Sequence, residues 1–465
     1  MSGCGGGPGR GSRKLLPTPI CDFVRAYAAE NRVRAHMPGH KGGAGIERFD
    51  LTEIPGAGVL YGENDVIAES ERIAAQLFGT AKTLYSAEGS TLALRAMLCL
   101  ARLHALEQGR SPRILAGRNA HKSFLGGAAL LDLPVDWLPP ADDTPLCCTV
   151  TPATLRAQLA EMPEPPTAVY ITTPDYLGNL ADVAGLAAVC REAGCLLLVD
   201  NAHGAYLRFL PQDLHPITRG ADLCCDSAHK TLPALTGGAY LHLSKTAPAA
   251  LLDAAESAMQ LFASTSPSYL ILQSLDALNQ LLGGWYPAAL ADFCRALDGL
   301  KRRLGERGFR LLGAEPLKLT LDAKAFGYRG MALSDALRRG GVECELADPD
   351  VTVLMLSPEN GAEGLRRIEA ALAAVPRLAP IPEKPPRLPV SEAVLTPRQA
   401  LLAPSELLPL DGCLGRVLAQ PSVSCPPAVP LAVCGERLTE AHLAAFRYYG
   451  IDRLRVVAGR WQENA

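Results

Sequence analysis

Ser227-Ala228-His229-Lys230-Thr231 is a polar pentapeptide set between the largely apolar run Ala221 to Cys225 and the Gly-rich segment Gly237 to Ser244. Both flanks read as buried strands, so the lysine between them stands where water is scarce. An amine held out of water loses much of its preference for the charged form, which makes Lys230 a candidate Schiff-base nucleophile. Alone, the pentapeptide also fits a surface turn. The stretch thirty residues upstream decides the matter: Cys195-Leu-Leu-Leu-Val-Asp200-Asn-Ala-His203-Gly204 is a buried-strand run. It delivers a carboxylate and an imidazole at its C-terminal end, where open α/β sheets gather their ligands.

A carboxylate at one strand end and a lysine after the next strand are the pair that pyridoxal 5'-phosphate needs. The lysine carries the cofactor, and the carboxylate keeps the pyridine nitrogen protonated so that the ring accepts electrons. With Ser-x-His-Lys and Asp-x-Ala-His-Gly in place, the chain resembles the fold-type-I ornithine/lysine/arginine decarboxylases, in particular their short bacterial members. The resemblance extends to His36-Met-Pro-Gly-His40-Lys41, to Asp50-Leu-Thr-Glu53, to the strand-end turn Thr173-Pro174-Asp175-Tyr176-Leu-Gly178 and to the segment from Val390 onward.

Composition sets outer bounds. At 465 residues the length suggests about three domains. A hydrophobic content of 48%, a charged content of 20% and a net charge of -3 describe an ordinary globular protein. They supply neither the basic field that nucleic acid requires nor a polybasic membrane patch. The 14 cysteines include no Cys-x-x-Cys and sit mostly in apolar runs. They read as reduced thiols rather than a disulfide framework or a metal site. The N-terminus lacks an apolar targeting core and no run is long enough to span a bilayer, so a cytoplasmic location is expected.

Strands alternate with helices along the chain. Thr83 to Ser86, Arg113 to Ala116, Thr167 to Thr173 and the Asp200 run read as strands, and Asp65 to Phe78, Leu92 to Leu106 and Ala181 to Ala193 as helices. That order predicts a doubly wound, mostly parallel α/β sheet. Helices over Ala247 to Phe262 and Tyr269 to Leu282 follow. A smaller α/β unit comes next, with strands at Leu317 to Leu321, Val342 to Leu346 and Thr352 to Leu356 between helices at Met331 to Arg339 and Ala362 to Val375. The expected division is a disordered tail over 1–16, a large cofactor domain over 17–265, a linking helix and small domain over 266–375, a Pro-rich linker over 376–389 and an α+β C-terminal domain over 390–465.

The Gly89-Ser90-Thr91 turn at a helix start offers free backbone N–H groups and two hydroxyls suited to a phosphate dianion. The resemblance implies further roles. Lys230 carries the cofactor, Asp200 pairs with its ring nitrogen, Ala202 packs beneath the ring, His203 lies near the phenolic oxygen and His121 stacks on the ring. Ser90, Thr91, Ser227 and His229 hold the phosphate, and Gly89 permits close backbone approach. It also implies a homodimer or larger homo-oligomer with shared sites, in which the Ser264 to Ser268 loop reaches the neighbouring phosphate. The expected reaction is decarboxylation of a basic amino acid, arginine ahead of lysine and ornithine. The rival is transamination, with Arg329, Arg338, Arg366 or Arg367 gripping the carboxylate. A basic substrate needs an acidic contact for its distant cation. Glu436, Glu53, Glu88 and Asp175 are the candidates, Glu436 first. The chain departs from the family pattern at Gly58-Val59, Glu63-Asn64-Asp65, Glu88 and Ala428, which bears on the substrate more than on the fold.

Overall fold

The computed structural model describes residues 15–138, 146–387, 392–424 and 429–459. The expectations for residues 1–14, Pro389 and Ala428 lie outside these. Seven strands form the main sheet: β1 (Lys82–Ser86), β2 (Ile114–Gly117), β3 (Val135–Leu138), β4 (Ala168–Thr172), β5 (Leu196–Asp200), β6 (Leu223–Asp226) and β7 (Ala239–Leu243). Their order is β1-β7-β6-β5-β4-β2-β3. β3, β2, β4, β5 and β6 pair in parallel, and β7 runs antiparallel between β6 and β1. A parallel sheet covered by helices on both faces needs strands that are apolar throughout. Every residue of β2, β5, β6 and β7 is accordingly buried.

Local chemistry sets the element ends. Asp65 caps the helix Val66–Phe78 by accepting from the Ile67 and Ala68 N–H groups, and its other oxygen accepts from the Val59 N–H at 2.9 Å. Gly58 adopts φ +85°, and a Cβ there would lie 2.6 Å from the Asp65 carboxyl carbon. Two of the departures from the family pattern, Gly58 and Asp65, therefore form one local unit. The helix expected from Leu92 begins at Gly89 instead, because the Gly-Ser-Thr turn is itself its first turn.

The smaller sheet holds β8 (Leu311–Leu312), β9 (Lys318–Asp322), β10 (Leu346–Ala347) and β11 (Val351–Met355), in the order β10-β11-β9-β8. The strand expected over Val342 to Leu346 shrinks to β10. Residues before it close the helix Gly330–Arg339 through Gly341 at φ +79° and a Val342 N–H bond to the Leu337 carbonyl. A 21-residue helix, Tyr286–Glu306, links the two sheets and was not expected from sequence. The segment after Pro376 follows the small unit, its Leu378 and Ile381 N–H groups bonded to the Phe326 and Lys324 carbonyls. Beyond it, Ser405–Pro409 pairs with Arg453–Val457 and Ser422–Ser424 with Pro430–Val433, beside the helix Glu440–Tyr448. No helix among the described residues is long and apolar enough to cross a membrane. Every described cysteine is a free thiol.

Candidate active site

The C-terminal ends of β2, β4, β5 and β6 open onto one cavity of about 550 Å³. Gly89, Ser90, Thr91, His121, Asp200, Ala202, His203, Ser227, His229 and Lys230 all line it. Sheet topology explains the convergence. β5 and β6 are neighbours paired through Asp200 opposite Cys225, so the turns that follow them carry Asp200-Ala202-His203 and Ser227-His229-Lys230 side by side.

Lys230 Nζ lies 3.2 Å from His203 Nε2 and 5.7 Å from the centre of the Tyr176 ring. Burial lowers the Lys230 pKa, against the raising influence of the Asp200 and Glu345 carboxylates. Burial, with Lys318 and Lys230 adding, drives His203 well below the ordinary imidazole range. The His203 ring is therefore neutral. It packs edge-on against Tyr176 at 4.4 Å, and its Nδ1 is buried without a partner.

Asp200 is 3% exposed. Its Oδ2 accepts from the Tyr170 hydroxyl at 2.9 Å and its Oδ1 from the Ala202 N–H at 3.1 Å. His121 accepts at Nδ1 from the Ser123 hydroxyl and backbone N–H, which assigns its proton to Nε2, and burial lowers its pKa. The Thr91 and Ser123 hydroxyls stand 2.9 Å apart, and the Ser227 hydroxyl donates to Ser90 Oγ at 2.8 Å. Gly89 has φ +71°, a Cβ there would meet nothing within 4 Å, and no side chain caps the helix it begins. Open N–H groups at a helix start beside three hydroxyls suit a phosphate dianion. With a buried carboxylate, a partner-free imidazole nitrogen and a buried lysine in the same cavity, these residues fit pyridoxal phosphate.

The four acidic candidates are scattered. Glu88 lies at the exposed rim and accepts from the Ser264 N–H at 2.7 Å. Asp175 lines the cavity but spends its carboxylate on its own turn, accepting from the Leu177 and Asn179 N–H groups and the Asn179 side chain. Glu53 is exposed and off the cavity wall. Glu436, the first choice, is also off that wall. It is 1% exposed, ion-paired with both terminal nitrogens of Arg118, and accepts from the Val433 N–H at 2.8 Å. A carboxylate this occupied and this buried joins the C-terminal segment to the residue after β2. Its apparent isolation in the sequence came from a partner 318 positions away.

Several residues were given no role of their own from sequence. Tyr170 donates to Asp200, Tyr176 faces Lys230 and His203, and Ser422 and Pro430 enter the cavity from the C-terminal segment. Glu345 is exposed and off the cavity wall, yet its charge bears on both Lys230 and Tyr176. Only the strand register, which pairs Thr172 with Asp200, could have pointed to Tyr170. Nothing local marks Glu345.

The family model for the major domain of Orn/Lys/Arg decarboxylases matches residues 18–292. The chain belongs to the Orn/Lys/Arg decarboxylase family. Membership makes it an amino-acid decarboxylase, in a family whose cofactor is pyridoxal phosphate. An arginine decarboxylase of Halalkalibacterium halodurans is 28% identical over 92% of this chain and 93% of its own length. An uncharacterised Bacillus subtilis protein, YaaO, is 29% identical over 91% and 92%. Among solved structures, the Francisella novicida lysine decarboxylase LdcF superposes with a TM-score of 0.78 at 16% identity, covering 95% of this chain and 81% of its own. The constitutive lysine decarboxylase of Escherichia coli gives 0.75 at 18%, with 95% and 82% covered. The expected fold-type-I α/β architecture therefore stands.

Proposed function

We propose that this enzyme decarboxylates a basic amino acid, arginine ahead of lysine and ornithine, with pyridoxal phosphate carried on Lys230. The observation that carries this reading is the meeting of Lys230, Asp200, His203 and His121 on one cavity. When bound, pyridoxal phosphate supplies an electron sink for the pair left behind as the carboxylate departs. The chain supplies the rest. Asp200, held by the Tyr170 hydroxyl and the Ala202 N–H, would keep a proton at the ring nitrogen. His121 would stack on the ring and Ala202 would pack beneath it, His203 stands beside Lys230, and Gly89, Ser90, Thr91, Ser227 and His229 would hold the phosphate. The burial of Asp200, Ala202 and His203 at the cavity floor favours a carboxylate leaving as neutral carbon dioxide. Lys230 then handles the proton that replaces it.

Glu345 is the contact we assign to the distal cation of the substrate. Its charge is among those that raise the Lys230 pKa, and it is exposed on the small unit, outside the cavity lining. Glu345→Gln is expected to raise KM for basic substrates about tenfold or more, the worth of a charge-assisted hydrogen bond, with cofactor binding unchanged. The four arginines of the transaminase reading are engaged elsewhere. Arg329 pairs with Glu383, Arg338 with Glu343 and Arg366 with Glu363, while Arg367 donates to the Gly341 carbonyl. None lines the cavity. The active unit is read as a homodimer or larger homo-oligomer of the cytoplasm, with the Ser264 to Ser268 loop serving the neighbouring site. Incubation with arginine, lysine and ornithine tests the reaction. Carbon dioxide and the matching amine, fastest from arginine, support it, and keto acid without carbon dioxide refutes it.

A further inference from the structure

We propose that Asn201 and Asp226 are positioning residues, a side-chain clamp that sets the separation between the turn carrying Lys230 and the turn carrying Asp200 and His203. The inference rests on the reading that Lys230 carries pyridoxal phosphate. β5 and β6 lose their ladder at Asp200 opposite Cys225, with one further backbone bond from the Asn201 N–H to the Cys225 carbonyl at 3.0 Å. Past that point the two chains diverge into the functional turns. There Asn201 Nδ2 donates to Asp226 Oδ1 at 2.7 Å, and both residues are fully buried.

The acceptor end is fixed. Asp226 Oδ2 accepts from His215 Nε2 at 2.8 Å and His242 Nε2 at 3.2 Å, and Oδ1 also receives the Cys224 thiol at 3.4 Å. His215 Nδ1 accepts from the Ile217 N–H at 3.3 Å, and His242 Nδ1 is 2.9 Å from the Thr83 hydroxyl. Both rings thus use Nε2–H toward the carboxylate. Phe78 packs on both, at 5.5 and 4.5 Å. A carboxylate with four donors in a dry site has one orientation left to it, and that orientation is handed to Asn201.

The other end is made to fit at a cost. Asn201 Oδ1 is buried without a hydrogen-bond partner, a situation rare enough in folded proteins to call for a reason. A Cβ on Gly204 would stand 1.9 Å from that oxygen, so the amide adopts this pose only against glycine. Asn201 therefore gives up one hydrogen bond and requires a bare backbone to reach Asp226. What the arrangement secures is the 3.2 Å approach of Lys230 Nζ to His203 Nε2, a spacing where misplacement by about 1 Å costs reactivity on the order of 100-fold.

The test measures pyridoxal phosphate binding and the visible absorption band in wild type, Asn201→Ala, Asp226→Asn and the double variant, with melting of each cofactor-free protein followed in parallel. Asn201→Ala leaves Asp226 with its two imidazoles and is the deciding variant if Asp226→Asn does not fold. The clamp predicts at least tenfold weaker cofactor binding and a displaced band in Asn201→Ala, in a protein that still melts cooperatively. It also predicts that the losses in the double variant are less than additive, because the Asn201–Asp226 bond is broken by either change alone. Wild-type affinity and band position in Asn201→Ala, or additive losses in the double variant, would overturn the clamp. A wild type that shows no band on Lys230 would instead overturn the cofactor reading beneath it.

Discussion

Lys230 Nζ and His203 Nε2 meet at 3.2 Å although they belong to turns after different strands, β6 and β5. Burial lowers the pKa of both groups. Two cations at that distance in a dry site would repel strongly, so the pair is stable with the imidazole neutral. The lysine is correspondingly easier to deprotonate, and the neutral amine is the nucleophilic form. Labelling of Lys230 in the cofactor-free protein by an amine-reactive reagent should follow a pH profile whose midpoint lies below the ordinary lysine value of 10.5. A midpoint at or above that value would contradict the assignment.

Glu436 offers a second prediction, and it separates stability from substrate binding. Its ion pair with Arg118 leaves side-chain exposures of only 10% for Arg118 and 2% for Glu436. Glu436→Gln therefore strands a buried guanidinium. Breaking such a pair costs about 3–5 kcal/mol, so the variant should melt well below wild type. A variant as stable as wild type but with a raised KM for basic amino acids would return Glu436 to the substrate.

Glu71 yields a pH dependence of stability. It is buried against β1, where its Oε1 accepts from the Tyr85 N–H at 2.7 Å. Burial pushes its carboxyl from 4.5 up to about 8. A folded-state pKa raised above the unfolded value means that the native state binds the extra proton between these limits. Stability from this group is then full below pH 4.5 and is lost as pH rises toward about 8, at about 1.4 kcal/mol per unit of difference. Denaturant titrations of wild type and Glu71→Gln across that window should show the variant gaining relative stability as pH rises. Parallel curves would refute the shift.

How much the sequence disclosed depended on the range of each signal. The main sheet was legible because β2, β4, β5 and β6 are short apolar runs bounded by polar turns. The cavity residues Lys230, Asp200, His203 and His121 were legible because topology places strand ends together. The Glu436 ion pair was not legible because a buried ion pair has no local signature, and its partner Arg118 follows a strand in another part of the chain. Glu345 stayed hidden for the related reason that its charge reaches Lys230 from a unit more than a hundred residues further along the chain. The helix Tyr286–Glu306 was passed over because the Gly283-Gly284-Trp285-Tyr286-Pro287 stretch reads as a break, yet Pro287 occupies the first turn of that helix, where its missing N–H costs nothing.

The central claim is that one lysine, Lys230, holds the cofactor, and borohydride reduction of the protein loaded with pyridoxal phosphate tests it most directly. Peptide mass mapping should find the reduced cofactor on the peptide containing Ser227-Ala228-His229-Lys230, with the visible band lost on reduction and absent from Lys230→Ala. A tag on Lys318, Lys122 or any other lysine, or a visible band that survives in Lys230→Ala, would contradict the account.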